Sequence, residues 1–333
     1  MSEPSASKAV AGAPVRAISR SSRDEFLATW AVVVNWNGGD ENLDCVASLI
    51  DQHIRPERIV FVDNASADGS LERVRSAHPG LRFVVNDVNE GFGAAANRGA
   101  RLALEGGAEA VFFVNNDVVL PKKTLARLEG VLAERPGVSI VGPRILFKDD
   151  PQRVWSAGGE LTWRQNLSTL IGNGRLDGPF YWVCGEVDYV AGAAMLVRAN
   201  LFERIGFFEA DYFAYMEDVD FCLAARRAGT SVVMCGEVAA LHGASNATGG
   251  GYSARRKYMN GVNSVRFLRK YGSARRWASF VLWDVLPLPI LFLVGVFRGR
   301  GRAVAAKALG ILHGLLGKRV TAEKVKAGGS LLW

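Results

Sequence analysis

The feature that most constrains this chain is a rhythm in its first half, where short and almost wholly apolar runs alternate with stretches whose apolar residues recur at helical spacing. Residues 31–35 form a β-branched run closed by Asn37-Gly-Gly, and 40–51 then carry Leu43, Val46, Ala47 and Ile50 on one helical face. The unit repeats: 58–62 precedes a helix near 69–77, 81–85 precedes 92–105, 110–114 precedes 121–134, and 138–141 adds a fifth strand. Strands with no alternation of apolar and polar residues must be covered on both faces. The first half is therefore expected to be a doubly wound α/β unit with a mainly parallel sheet.

Ligands of such sheets bind outside the carboxyl ends of the strands. There the chain reads Asn35-Trp-Asn37, Asp63-Asn-Ala-Ser-Ala-Asp-Gly-Ser70, Asn89-Glu-Gly-Phe-Gly93 and Asn115-Asn-Asp117. Asn, Asp and Gly occupy helix caps and left-handed turns, which explains any one of these segments. Four in succession on one edge point instead to a polar ligand. A carboxylate at Asp117, facing that crevice, suits Mg²⁺ or Mn²⁺, hard cations that take oxygen ligands and bridge diphosphates.

Beyond residue 151 the pattern loosens. A long loop region over 155–185 leads to expected strands at 187–190 and 195–198, a short helix from Asn200, a helix running from the 213–222 segment to Ala228, and strands at 231–234 and 238–241. His242 follows the last of these and is a second candidate metal ligand. Glu217, Asp218 and Asp220 stand where the helix dipole favours acids. Glu217 and Asp218 also follow Tyr212, Phe213, Tyr215 and Met216, and a carboxylate beside dry aromatic surface is suited to act as general base on a hydroxyl. Asp220 is expected to be structural.

Gly91-Phe-Gly-Ala-Ala-Ala96 formally fits the dinucleotide pattern, but it follows the third strand rather than the first, so nicotinamide or flavin binding is set aside. No Walker A, G-x-S-x-G or HExxH sequence occurs. The four cysteines form no CxxC pair, which argues for a reducing compartment without structural zinc. The first 25 residues lack an apolar stretch, so no secretory signal is expected, and the sequons at Asn64, Asn166 and Asn246 read as chance.

As a set, Ala31-Val-Val-Val-Asn-Trp-Asn37, Val62-Asp-Asn-Ala-Ser-Ala-Asp-Gly-Ser70, Asn89-Glu-Gly-Phe-Gly-Ala-Ala-Ala-Asn-Arg-Gly99, Val114-Asn-Asn-Asp-Val118, Val190-Ala-Gly-Ala-Ala-Met-Leu-Val197 and Phe213-Ala-Tyr-Met-Glu-Asp-Val-Asp-Phe-Cys222 resemble family 2 inverting glycosyltransferases. The nearest branch is the rhamnosyltransferase-like one, and the match spans about residues 30–245. The resemblance implies a GT-A fold and a nucleotide-diphosphate sugar donor. It places Asn35 and Asp63 at the base and ribose, and Asn89 and Gly91 along the ribose and diphosphate. Asn115, Asn116 and Asp117 take the D-x-D position that holds Mg²⁺ or Mn²⁺, with His242 completing the metal shell. Asp218, beside Glu217, becomes the base. Asn115 replaces the first D-x-D acid, a variant that resembles branch members using deoxythymidine diphosphate (dTDP) sugars such as dTDP-rhamnose. Transfer of a hexose or galactofuranose, or a silent nucleotide-sugar-binding subunit, are the other readings.

Charge divides the chain as sharply as pattern does. Residues 251–333 hold 16 of the 40 Lys and Arg but only two of the 33 acids, a balance of +14 against −7 for the rest. Within this tail, 253–271 reads as a basic amphipathic helix, and 277–297 carries a single acid, Asp284, with Pro287 and Pro289. Nucleic-acid binding needs no such apolar run, so a membrane surface is the expected partner. The prolines and the arginines on both flanks favour shallow or hairpin insertion at the cytoplasmic face over a single span. A polyprenyl-diphosphate-linked glycan is then the expected acceptor. The division expected is a disordered tail at 1–28, the glycosyltransferase domain at 29–250 and a membrane-associating helical region at 251–333.

Overall fold

The computed structural model describes residues 27–243 and 253–333. Nearly all of the expected N-terminal tail, and the Asn246 sequon, lie outside the described residues.

The predicted rhythm folds as four strands and four helices in alternation: β1 (Thr29–Asn35), α1 (Glu41–Asp51), β2 (Ile59–Asp63), α2 (Ser70–Ala77), β3 (Arg82–Val85), α3 (Phe92–Glu105), β4 (Ala110–Asn115) and, after the short β5 (Val118–Val119), α4 (Thr124–Glu134). Strands β3-β2-β1-β4 are parallel, and β1, β2 and nearly all of β4 are buried, as their unbroken apolar sequences require.

The second half makes the sheet mixed. The fifth strand, β6 (Val138–Phe147), is longer than expected and does not adjoin β4. Between them runs β11 (Ala194–Arg198), antiparallel to both. The loop region contains β7 (Val154–Ser156), β8 (Gly159–Leu161), β9 (Ser168–Leu170) and β10 (Cys184–Glu186). The strand expected at 187–190 is absent; only Tyr189 makes an isolated bridge, to Gly159. After α5 (Ala199–Ile205) and α6 (Glu217–Arg227), the two strands expected at 231–241 are one, β12 (Ser231–His242). A register shift between Cys235 and Ala239 bends it, which is why its apolar pattern breaks at Gly236-Glu237. Cys184 and Cys235, far apart in sequence, face each other across β10 and β12 with Sγ atoms 2.7 Å apart.

In the tail, α7 (Ala254–Tyr271) lies against α10 (Gly301–Leu315). A Cβ on Gly310 would come within 2.2 Å of the Tyr258 carbonyl oxygen, so only glycine permits this approach of the two backbones. Between them the chain forms one helix over Ala274–Phe297, built from α8 (Ala274–Phe280), a widened turn over Val281–Val285, and α9 (Leu288–Phe297). The break expected at the prolines does not occur. In the widened turn Leu286 N–H donates to the Val281 carbonyl, five residues back, and the prolines sit at the start of α9, where a missing N–H costs nothing. The reversal comes at residues 298–300, where Gly299 is left-handed and α10 returns along α9.

Candidate active site

The polar strand ends converge as predicted, and most of their side chains are bound to one another. Asn35, fully buried, donates to Asp63 Oδ1 and Ser70 Oγ (both 2.8 Å) and accepts from Asn116 Nδ2 (3.3 Å). Asp63 Oδ2 accepts from Ser66 N–H (3.0 Å), and Asn89 Oδ1 accepts from Gly91 N–H (2.8 Å) and Asn64 Nδ2 (2.9 Å). These groups fix the turns that shape a crevice of about 160 Å³, lined by Val34, Trp36, Asn89, Asn116, Asp117 and, from α7, Arg255. Gly91 is left-handed (φ 87°), and a Cβ there would lie 2.4 Å from the Phe213 carbonyl oxygen. It is glycine because the loop before α6 closes directly onto it.

Pairing of β5 with the end of β12 sets Val118 opposite His242, and this brings His242 to Asp117. Both side chains are buried, with His242 Nε2 3.2 Å from Asp117 Oδ1. Neither ring nitrogen of His242 has a hydrogen bond among the described residues, and the Trp155 ring packs edge-on at 4.4 Å. Asp117 lines this crevice and His242 the cavity next to it, and this buried carboxylate and imidazole, side by side, form a donor set that fits Mn²⁺ or Mg²⁺.

The loop before α6 is strained. Phe213 (φ 63°), Tyr215 (φ 70°) and Met216 (φ 77°) are all left-handed, at a cost of about 1 kcal/mol or more each. The strain turns α6 so that Asp218 faces a second cavity, of about 390 Å³, that meets the crevice at Phe92, Asn115 and Ala214. Asp218 is anchored there by the N–H groups of Gly192 (2.9 Å) and Val219 (2.8 Å). Burial raises its pKa against those two hydrogen bonds. Glu217 lines the same cavity, and one of its carboxylate oxygens has no partner among the described residues. Burial, and next the charge of Asp218, push Glu217 up to about 8. Ionisation of the two adjacent carboxyls is therefore coupled: the two N–H groups on Asp218 favour its charged form, and that charge favours the neutral acid on Glu217. Asp220 is structural as expected, accepting from Tyr212 Oη (3.2 Å) and Lys270 Nζ (2.8 Å).

Residues 30–206, more than half of the chain, match the family model described as glycosyl transferase family 2. The chain belongs to that family. It is 26% identical over 212 residues to the low-salt glycan biosynthesis hexosyltransferase Agl10 of Haloferax volcanii, covering 63% of this chain and 66% of that one. It is 26% identical over 243 residues to an N-acetylglucosaminyl-diphospho-decaprenol L-rhamnosyltransferase of Mycobacterium tuberculosis, covering 66% and 76%. Among solved structures it resembles GalNAc-T7 with UDP, GalNAc and Mn²⁺ (TM-score 0.60, 14% identity, 78% of this chain and 50% of that one). It also resembles the mannosyltransferase PcManGT of Pyrobaculum calidifontis with GDP-Man and Mn²⁺ (TM-score 0.55, 17% identity, 89% of each). The fold is thus of the GT-A type.

Sequence reasoning about this glycosyltransferase missed several residues at the site. Asn64 bonds Asn86, Asn89 and the Glu90 N–H, tying two strand ends together. Asn263 of α7, fully buried, directs its amide at the carbonyls of Tyr212 (3.0 Å), Ala214 (2.8 Å) and Tyr215 (2.9 Å), clasping the strained loop from outside. Arg256, Lys257, Asn260 and Ser264, also of α7, line the larger cavity. The only sequence signal for these was polar residues interrupting the apolar face of an amphipathic helix.

Proposed function

We propose that this glycosyltransferase is a metal-dependent inverting enzyme that moves rhamnose from dTDP-rhamnose to a glycan on a polyprenyl diphosphate, in cell-surface glycan synthesis. The observation that carries it is Asp218: a half-buried carboxylate pinned by two backbone N–H groups in a cavity that His242 also lines and that opens onto the crevice at Asp117. The donor nucleotide occupies that crevice. Asn35 and Asp63 serve it by holding the turns at residues 63–70 rather than through free polar atoms, and Arg255 supplies positive charge beside the diphosphate. Asp117 and His242 would hold Mg²⁺ or Mn²⁺, which neutralises the departing diphosphate when bound. Asp218 takes the proton of the acceptor hydroxyl. The hydroxyl oxygen bonds to the anomeric carbon as the diphosphate leaves from the opposite face, so the configuration inverts.

The acceptor's place follows from the apolar helix. Ser279 donates to the Trp163 carbonyl (2.6 Å), and Asp284, buried, pairs with Lys307 and accepts from Asn166 N–H (2.8 Å), so the first half is fixed to the protein. Beyond it, Leu286, Ile290, Leu293, Val296 and Phe297 are exposed. Residues 286–297 extend about 18 Å, short of a hydrocarbon core of about 30 Å. They support shallow insertion from the cytoplasmic face, where soluble donor and lipid-linked acceptor meet.

The test is a thermal-shift screen of nucleotide sugars with Mn²⁺, followed by transfer to an N-acetylglucosaminyl-diphosphate alkyl acceptor, with and without EDTA. Stabilisation and transfer with dTDP-rhamnose, lost with EDTA, are expected. Transfer from a UDP- or GDP-hexose instead would favour the hexosyl reading that the Haloferax relative suggests.

A further inference from the structure

The larger cavity is lined by groups of opposite charge. Glu217 and Asp218 come from α6, and α7 contributes Arg256 and Lys257, with Asn260 and Ser264 on the next turns. Arg256 is steadied over the Tyr215 ring at 4.9 Å, on the same strained loop that aims Asp218. Lys257 is half-buried and has two cations near it, Arg256 and Lys307, with Asp284 as the nearby acid. Burial, and next the charge of Lys307, push Lys257 down to about 8, so an anion placed beside it would hold its proton. Arg256 and Lys257 thus bring two adjacent positive charges to the lining of a concave site, an arrangement suited to an anionic group.

The same lining meets the root of the exposed apolar helix. Asn166 lines the cavity, accepts from Lys307 Nζ (3.0 Å) and donates its backbone N–H to Asp284 of the helix. Cationic cavity and apolar surface are thus joined through three bonded residues. A ligand that fills both has an anionic head and a long apolar tail.

We propose that Arg256 and Lys257 form the subsite for the diphosphate of the lipid-linked acceptor, with its isoprenoid chain leaving along residues 286–297. This rests on the glycosyltransferase reading above and adds to it a division of labour within one helix turn: Arg255 faces the donor crevice, and Arg256 and Lys257 face the acceptor. Asp218, on α6 rather than α7, is then left to meet the sugar hydroxyl.

Binding separates this subsite from catalysis. Full-length protein in detergent is titrated with farnesyl diphosphate, farnesol, inorganic pyrophosphate and dTDP, following tryptophan fluorescence, for the parent, Arg256→Gln, Lys257→Gln and the double variant. Farnesyl diphosphate should bind the parent at least tenfold more tightly than farnesol or pyrophosphate. The double variant should lose at least tenfold for farnesyl diphosphate and less than twofold for dTDP. Equal losses for farnesyl diphosphate and dTDP would assign the cations to the donor and overturn the subsite. Unchanged farnesyl diphosphate binding in the double variant would also overturn it, and pyrophosphate binding as tightly as farnesyl diphosphate would remove the lipid half. None of these readouts requires turnover, so a parent that binds farnesyl diphosphate but transfers no sugar would defeat the activity reading alone.

Discussion

The donor crevice and the acceptor cavity share one rim but are built in opposite ways. In the crevice, Asn35, Asp63, Asn64 and Asn89 come from turns one strand apart and bond chiefly to each other, so the polar groups are satisfied and rigid before any ligand arrives. The cavity draws its walls from Trp155, Asn166, Tyr189, Asp218 and Lys257, distant in sequence. Its lining has left-handed Asn166, Tyr215 and Met216, a carboxylate oxygen without a partner among the described residues, and the cations Arg256 and Lys257 next to each other. Self-satisfied turns make a template for a constant ligand part, a nucleoside diphosphate. Strain and charged side chains collect where a bond is made and a substrate brings its own charge.

The sharpest break of that contrast is Asp218→Asn. It removes the proton acceptor without altering the crevice, so kcat should fall by about 10³-fold while dTDP affinity changes less than twofold. Because burial raises the Asp218 pKa, the acid limb of kcat/KM in the parent should lie above the ordinary aspartate range. Transfer at the parental rate by the variant would show that another group takes the proton.

Next in size is Asn263→Leu, which keeps the volume and removes the clasp on the strained loop. The half-buried Ala214 and Tyr215 carbonyls lose the amide, while the Tyr212 carbonyl keeps the Ala214 N–H, so stability should fall by about 1–2 kcal/mol, and kcat by about 10- to 100-fold, with dTDP binding retained. Stability lost without loss of kcat in the fraction that remains folded would reduce Asn263 to a packing residue. An Asn263→Gln variant, whose amide reaches the same carbonyls from a longer stem, should recover part of the rate.

How legible these parts were in the sequence follows the same division. The crevice was readable because each of its pieces is local: an apolar run, a polar turn and a helix start occur within about ten residues, and period and turn chemistry identify all three. Asp117 and Glu217-Asp218 stood out because acids beside apolar segments are costly. His242 could be named but not placed, since its meeting with Asp117 depends on β5 pairing with β12 across more than a hundred residues. Asn263, Arg256 and Lys257 were invisible as site residues. They read as the polar side of a basic helix, and only the packing of α7 against the loop at 212–216 makes them line a cavity. The prolines in the tail leave the helix unbroken for a local reason, because a widened turn precedes them and both sit at the start of α9, where a missing N–H costs nothing.

A smaller effect, on location rather than chemistry, should follow from replacing Ile290, Leu293 and Phe297 by Gln. Each is exposed and contributes about 1.5–3 kcal/mol when moved from water into lipid, so the triple variant should shift from the membrane to the soluble fraction in vesicle flotation. Transfer to a short-chain soluble acceptor should stay within twofold of the parent, because the fixed half of the helix, with Asp284 on Lys307, is untouched. Unchanged flotation would move the membrane contact to another surface.

The smallest expected effect tests whether Glu217 holds its proton. Its pKa in the fold, about 8, lies well above the ordinary value of 4.5, so the folded state favours the neutral acid. As pH rises from about 4.5 to 8, the unfolded chain gives up this proton while the folded chain keeps it, and the fold loses stability across that window. Above 8 both states are ionised and the loss stops growing. Gln cannot ionise, so the advantage of Glu217→Gln should be near zero at pH 4, increase through the window and level off above pH 8. In calorimetry this reads as a Tm gain of a few degrees at pH 8.5 that is absent at pH 4. A gain of equal size at both pH values would mean that better packing, not the removed charge, stabilises the variant. The proton assigned to Glu217 would then lose its support.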